Sequence, residues 1–300
     1  MLVNVDNKIY SIKKTKWEDG SKFVGEVIQN RACGIGIFDH SSGDNYKGYF
    51  KDDKSNGFGI YYNKKNLSIC YGEWRNDLQN GINIEICYID KSIYFGNFSN
   101  GKKNGLGTYC WSNGSVYKGE WLNGYLNGYG LYVYEDYQSI NKTNVYNIIF
   151  QNELKYFKVE DFVEFINKYN KYNLHNNKMY KGQWKNNLMH GYGKLFWDTH
   201  FYIGEYFEDK KHGFGIYYWY NPLKIYIGQW KNGKQDGIGK LITDKDSKFS
   251  LWQEGKKVKW LKNNDIELND QLRILNDYQK KMFCIDLKDL KKYTLNYLIN

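Results

Sequence analysis

The chain has 300 residues, a net charge of +10, and a composition in which aromatics are 19% against a hydrophobic total of 41%. Length alone suggests about two globular domains, but so large a share of rings suits a thin core rather than a thick aliphatic one. Five cysteines (Cys33, Cys70, Cys87, Cys110, Cys284) lack a disulfide-scaffold spacing and no apolar run is long enough to span a membrane, which excludes a secreted disulfide module and points to a reducing, cytoplasmic setting.

Residues 1–22 read as a lead-in strand and turn. Met1 to Trp17 lacks the apolar core of a secretory signal, and Leu2 in place of Gly excludes N-myristoylation. Residues 23–134 then become periodic. An aromatic is followed two residues later by Gly, and Gly-x-Gly starts eleven residues after the aromatic. Copies begin at Phe23 (Gly25, Gly34, Gly36), Tyr46 (Gly48, Gly57, Gly59), Tyr94 (Gly96, Gly105, Gly107) and Tyr117 (Gly119, Trp121, Gly128, Gly130). An imperfect copy puts Cys70 in the aromatic slot before Gly72 and Trp74, with Asn83 following Gly81. A fixed period of this size marks a repeat array.

Alternation places Tyr117, Gly119 and Trp121 on one strand face, with Lys118 and Glu120 on the other. The polar run 122–127 reads as a turn, and Gly-x-Gly opens a second strand, so one repeat is one β-hairpin. Gly in a strand costs about 0.5–1 kcal/mol relative to Ala. A strip without side chains offsets that cost by letting rings of a neighbouring hairpin lie against the backbone. Stacked hairpins of this kind form a long, twisted antiparallel sheet.

Residues 135–179 interrupt the rhythm. A degenerate copy falls at 146–150, and Val159, Phe162, Val163, Ile166 and Tyr169 share one face of an expected helix. That helix either covers a sheet face or docks a partner. Residues 180–260 resume the repeat from Tyr180 (Gly182, Trp184, Gly191, Gly193), Tyr202 (Gly204, Gly213, Gly215) and Tyr226 (Gly228, Trp230, Gly237, Gly239). A terminal fragment runs through Trp252 and Gly255 with Ser250 in the Gly slot. This second block holds 14 basic and 8 acidic residues, against 16 and 13 in residues 1–134. Lys181, Lys185, Lys210, Lys211, Lys231 and Lys234 are its candidate contacts to an anionic surface. In 261–300, Leu268, Leu272, Leu275 and Met282, then Leu287, Leu290, Tyr293 and Leu298, fall at helical spacing. They read as a helical cap on the array, with dimerisation through the same stripe as the alternative.

Little is left for chemistry. None of the Gly-x-Gly pairs extends to a dinucleotide fingerprint and no Gly-Lys-Ser/Thr occurs, so no nucleotide cofactor is expected. His190 and His212 directly precede Gly-x-Gly pairs and read as turn residues rather than metal ligands. No catalytic set stands out, and nucleic acid is a poor partner because the rings occupy structural slots.

The pattern Tyr-x-Gly-x-Trp followed by Gly-x-Gly closely resembles the MORN repeat (membrane occupation and recognition nexus), over about 23–134 and 180–260. The resemblance implies a mainly β, elongated array and a non-enzymatic scaffold that assembles proteins at membrane–cytoskeleton junctions or axonemes. The alternative, read from the lysines of the basic second block, is peripheral binding of anionic phospholipids. Some MORN arrays are fused to lipid kinase or methyltransferase domains, for which the residues after 260 are too few.

Overall fold

The structure is a computed structural model and describes residues 3–5, 8–134 and 178–262. The degenerate copy at 146–150, the insert helix and the carboxy-terminal cap lie outside the described residues. Among the described residues there are twenty strands and no helix, so the chain is mainly β. The described residues divide into two compact units, one reaching Asn127 and the other starting at Gly128.

In the first unit the strands from Val3–Val5 to Val116–Leu122 form a meander, each antiparallel to the next. The lead-in is two strands rather than one, Val3–Val5 and Lys8–Lys16. In the second unit the same meander runs from residues 128–133, the end of the Tyr125–Val133 strand, to Lys256–Trp260.

Each hairpin closes in two residues. Asp52 and Asp53, Asn76 and Asp77, Asn186 and Asn187, and Glu208 and Asp209 all have positive φ. Two consecutive positive φ values make a type I′ turn, whose twist matches that of the flanking strands. The turn expected over 122–127 is therefore shorter: one strand ends at Leu122 and the next starts at Tyr125. The second strand of a repeat thus begins before its Gly-x-Gly, and His190 and His212 are strand residues, not turn residues.

The two glycines of each Gly-x-Gly do different work. Register slips between Gly48 and Phe50, and at the same place in most other hairpins, so a bulge leaves the residue three after the aromatic unpaired within its hairpin. Opposite the bulge the first glycine takes positive φ, +104° at Gly57. The second glycine makes room: a Cβ on Gly59 would run into the ring of Tyr46. That ring belongs to the same hairpin, whereas the sequence suggested a neighbour's; the tyrosine folds back over its own Gly pair because the bulge leaves it a partner. Tyr46 Oη donates to Tyr49 O at 3.1 Å, and Tyr94, Tyr117, Tyr180, Tyr202 and Tyr226 each donate to the corresponding carbonyl three residues on. Each bond satisfies a buried hydroxyl and contributes about 1 kcal/mol. The side chain of the bulged residue serves too, since Glu26, Gln183 and Gln229 accept from the N–H between the two glycines.

Tryptophan links one hairpin to the one before. Trp74 Nε1 donates to Gly59 O, Trp121 to Gly107 O, Trp184 to Gly130 O and Trp230 to Gly215 O. Each tryptophan also meets the preceding tyrosine or a neighbour edge-on, as Tyr46–Trp74 at 5.4 Å and Tyr202–Trp230 at 5.2 Å do. Such ring pairs contribute about 0.5–1.5 kcal/mol beyond the area they bury.

The irregular copies keep this logic. Where Cys70 replaces tyrosine, Asn83 replaces the second glycine, is fully buried, and donates from Nδ2 to Glu73 O at 3.0 Å. The amide takes over both the ring's space and the hydroxyl's bond. The terminal copy is also a hairpin, Ser247–Gln253 with Lys256–Trp260, in which Ser250 is fully buried and donates to Gly239 O.

Candidate functional site

The repeat positions fixed above are consumed by packing: Tyr46, Tyr94, Tyr117, Tyr180 and Tyr226 are buried over their glycines, as are Trp121, Trp184 and Trp230. Gly48, Gly96, Gly182 and Gly228 each face the partner strand's glycine at a separation that admits no Cβ. Gly105 and Gly128 take the positive-φ role and Gly107 the ring-bearing one. Gly119 and Gly130 pair with Gly107 and Gly182 in the ladder. Function must therefore use positions at which one repeat is free to differ from the next.

One such position lies two residues before each core aromatic. In the first unit it holds Ser21, Asp44, Ser68, Ser92 and Ser115. Ser21, Ser92 and Ser115 are buried, and their N–H groups donate to Asp19, Asp90 and Asn113. Asp44 accepts from Lys64 N–H and Tyr61 Oη, and the first of these bonds holds its carboxyl below the usual range. These are turn-closing groups with no charge to spare.

In the second unit the same position holds Lys178, His200 and Lys224. The strand ends between them carry Tyr134, Trp197 and Trp219. Backbone pairing sets all six in one row across the sheet, Tyr134–Lys178, Trp197–His200, His200–Trp219 and Trp219–Lys224. Lys178 Nζ lies 4.2 Å from the Tyr134 ring centre and 5.6 Å from that of Trp197. Trp197 stacks on His200 at 4.4 Å, His200 on Tyr217 at 5.1 Å, and Lys224 Nζ sits 5.1 Å from Trp219. All six are half-buried, and no carboxylate among the described residues pairs with Lys178, His200 or Lys224. Burial lowers the His200 pKa, and nearby Lys211 lowers it further.

Lys211 belongs to the same environment. It lies over Tyr202, Tyr217 and Trp230, 4.3 Å from the centre of Tyr217, and burial brings its pKa down to about 8. Lys103 occupies the equivalent place in the first unit, over Tyr94, Phe98 and Tyr109, but there Glu85 pairs with it. The register puts Leu195 where Glu85 stands, since Leu195 pairs with Tyr202 as Glu85 pairs with Tyr94.

The opposite sheet face is uneven: the first unit buries Ile84, Ile86 and Ile93 on it, yet leaves other stretches open. Ile60 and Phe58 of the first unit are 42% and 56% exposed, whereas Ile216 and Ile238 at the matching positions of the second are 5% and 4% exposed. Val24, Ile35, Ile37, Tyr49, Ile82 and Leu106 extend the exposed apolar face of the first unit. In the second, Phe201, Ile216, Tyr218, Ile225, Ile227 and Ile238 form a buried cluster against which Leu261 packs.

The six lysines singled out in sequence fall on three surfaces. Lys181 points to the face away from the rings, Lys211 rests on the rings, and Lys185, Lys210, Lys231 and Lys234 stand at hairpin tips. At those tips Lys231 lies opposite Lys234, which pairs with Glu254 at 3.2 Å. His190 and His212 both contact the ring of Phe207. Lys178, His200 and Lys224 escaped the sequence reading, although aligning the copies two residues before the aromatic exposes the change from Ser and Asp to Lys and His.

A family model described as MORN repeat matches residues 23–45, 46–66, 70–82, 94–116, 117–139, 180–200, 202–221 and 226–246, more than half of the chain. No curated protein matches it. Among solved structures the chain is similar to the SAS-4 (dCPAP) TCP domain in complex with a proline rich motif of Ana2 (dSTIL) of Drosophila melanogaster. That match has 10% identity and a TM-score of 0.32, and covers 73% of this chain and 90% of that one.

Proposed function

Because this chain belongs to the MORN repeat family, we propose that it is a non-enzymatic scaffold that assembles proteins at a membrane–cytoskeleton or axonemal structure. The observation that carries this reading is the exposed apolar stretch of the first unit, where Ile35 pairs with Tyr49 and Phe58 and Ile60 stand exposed on the following strand. Soluble monomers rarely leave more than a few hundred Å² of contiguous apolar surface uncovered, and larger patches mark contact sites. The invariant slots of the repeat are spent on packing, which leaves such faces as the chemistry on offer. Tagged protein in its own cell should concentrate on a filamentous or membrane-apposed structure, with a set of crosslinked neighbours that Phe58→Asp with Ile60→Asp abolishes. A diffuse signal with the same neighbours for both forms would overturn the reading.

A second reading is peripheral binding of anionic phospholipids, favoured by the lysines at successive hairpin tips of the second unit, Lys185, Lys210, Lys231 and Lys234. A lysine near an anionic bilayer contributes about 1 kcal/mol. Sedimentation with phosphoinositide vesicles should be salt-sensitive and weakened by Lys210→Glu with Lys231→Glu. Unaltered sedimentation of that variant would sink this reading.

A further inference from the structure

The row Tyr134, Lys178, Trp197, His200, Trp219 and Lys224 combines three properties that the matching row of the first unit lacks. Its two lysines have no carboxylate partner among the described residues, so it is electrostatically incomplete. Its lysines and histidine alternate with rings, so each polar head is flanked by an apolar platform. These donors also repeat. Lys178, His200 and Lys224 lead into the strands Met179–Lys185, His200–Phe207 and Lys224–Lys231, which alternate with the strands Leu188–Phe196 and Lys210–Trp219. Neighbouring strands are about 4.8 Å apart, so the donors Lys178, His200 and Lys224 recur about every 9.6 Å.

That interval selects a ligand backbone. A polyproline II helix has three residues per turn and rises about 3.1 Å per residue, so the same side returns about every 9.3 Å. In a β-strand the same side returns about every 6.6–6.8 Å, which falls out of step after one donor. Polyproline II is a major conformer of unfolded chains and needs no proline to be populated. An acidic, unstructured segment therefore offers both the charge and the repeat.

We propose that the second unit binds an acidic peptide segment carrying a carboxylate at every third residue, laid across the strands in the polyproline II conformation. The carboxylates pair with Lys178 and Lys224, the one between them accepts a hydrogen bond from the His200 imidazole, and the residues between carboxylates rest on Tyr134, Trp197 and Trp219. Charge-assisted bonds of this kind are about twice as strong as neutral ones, and ring platforms are a recurrent feature of polyproline II recognition. This assignment names a partner class for the scaffold reading and stands on its own geometry. If the scaffold reading failed in cells, the peptide would still bind the purified protein; if the peptide failed, the cellular neighbours would be unaffected.

The test uses the full chain and two synthetic peptides of equal charge, one repeating Glu-Gln-Ser and one repeating Glu-Ser, titrated by calorimetry and by tryptophan fluorescence. The Glu-Gln-Ser peptide should bind at least ten-fold more tightly than the Glu-Ser peptide and change the fluorescence of Trp197 and Trp219. Lys178→Ser with Lys224→Ser should lose at least ten-fold in affinity at an unchanged melting temperature, and Lys178→Arg with Lys224→Arg should keep it. Trp219→Ala should weaken binding while leaving its salt dependence in place. Equal affinity for both peptides, or no binding of either, overturns the proposal. It is equally overturned if phosphatidylserine vesicles or an oligothymidylate bind through Lys178 and Lys224 while the Glu-Gln-Ser peptide does not.

Discussion

In the first repeat unit the residue two places before the core aromatic is Ser or Asp, and the outer sheet face is open around Phe58 and Ile60 though buried at Ile84, Ile86 and Ile93. In the second unit that residue is Lys or His beside a ring, and the outer face is buried around Ile216 and Ile238. The hairpins are otherwise alike: tyrosine over its glycines, tryptophan on the preceding hairpin, a two-residue turn. The difference teaches that a repeat separates building from binding by position. Residues whose geometry is fixed by a ring, a bulge or a positive φ cannot vary without cost, so specificity accumulates where the side chain meets only solvent or a neighbour of its own kind.

The comparison breaks first at the glycines, if it breaks at all. Gly59→Val and Gly215→Val should each cost more than about 3 kcal/mol, because the added carbons invade the Tyr46 and Tyr202 rings and overpacking leaves the sheet no slack. Denaturant unfolding that leaves either variant like the parent would mean that the ring strip does not hold the hairpins. Next comes the outer face. Ile216→Asp should cost about 3 kcal/mol or more and Ile60→Asp only about 0.5 kcal/mol, since one buries a charge and the other meets water. Equal losses would erase the distinction between the two faces.

A double-mutant cycle sharpens the irregular copy. Cys70→Tyr alone should destabilise by about 2 kcal/mol, because the new ring collides with Asn83; adding Asn83→Gly should recover most of that loss, a coupling well above the scatter of independent sites. Simple additivity would mean that the amide does not stand in for ring and hydroxyl.

The smallest effect is in pH dependence. Lys211 has a folded-state pKa of about 8 because burial penalises its charge, below the 10.5 of a free lysine. Between those values the unfolded chain holds the proton that the folded chain has released, so stability should rise with pH from about 8 toward 10. Lys211→Met should flatten that rise, and Leu195→Glu should remove it by supplying the partner that Glu85 gives Lys103. The same slope in all three proteins, followed by two-dimensional NMR or by urea midpoints, would count against an unpaired Lys211.

Most of the fold was legible because period and spacing carry it: the Tyr117–Gly119–Trp121 alternation and the recurring Gly-x-Gly imply hairpins before any coordinate is known. What spacing could not give was the division of labour between the two glycines. That depends on a bulge set by tertiary register, and the ring that covers Gly59 comes from Tyr46 of its own hairpin. The candidate site was less legible. Lysine count drew attention to Lys181, Lys185, Lys210, Lys211, Lys231 and Lys234, yet the row of cations and rings is assembled from strand ends in 134, 178, 197, 200, 219 and 224 that only pairing brings together. Lys211 shows the same limit, since whether a lysine meets solvent or three rings depends on its slot in the hairpin.

The division between building and binding positions is tested most directly by giving the second unit the first unit's residues, Lys178→Ser, His200→Ser and Lys224→Ser together, and measuring melting temperature and Glu-Gln-Ser peptide affinity on the same sample. The account predicts a melting temperature within about 2 °C of the parent and loss of peptide binding. A protein that melts like the glycine variants, or one that binds the peptide as the parent does, would contradict it.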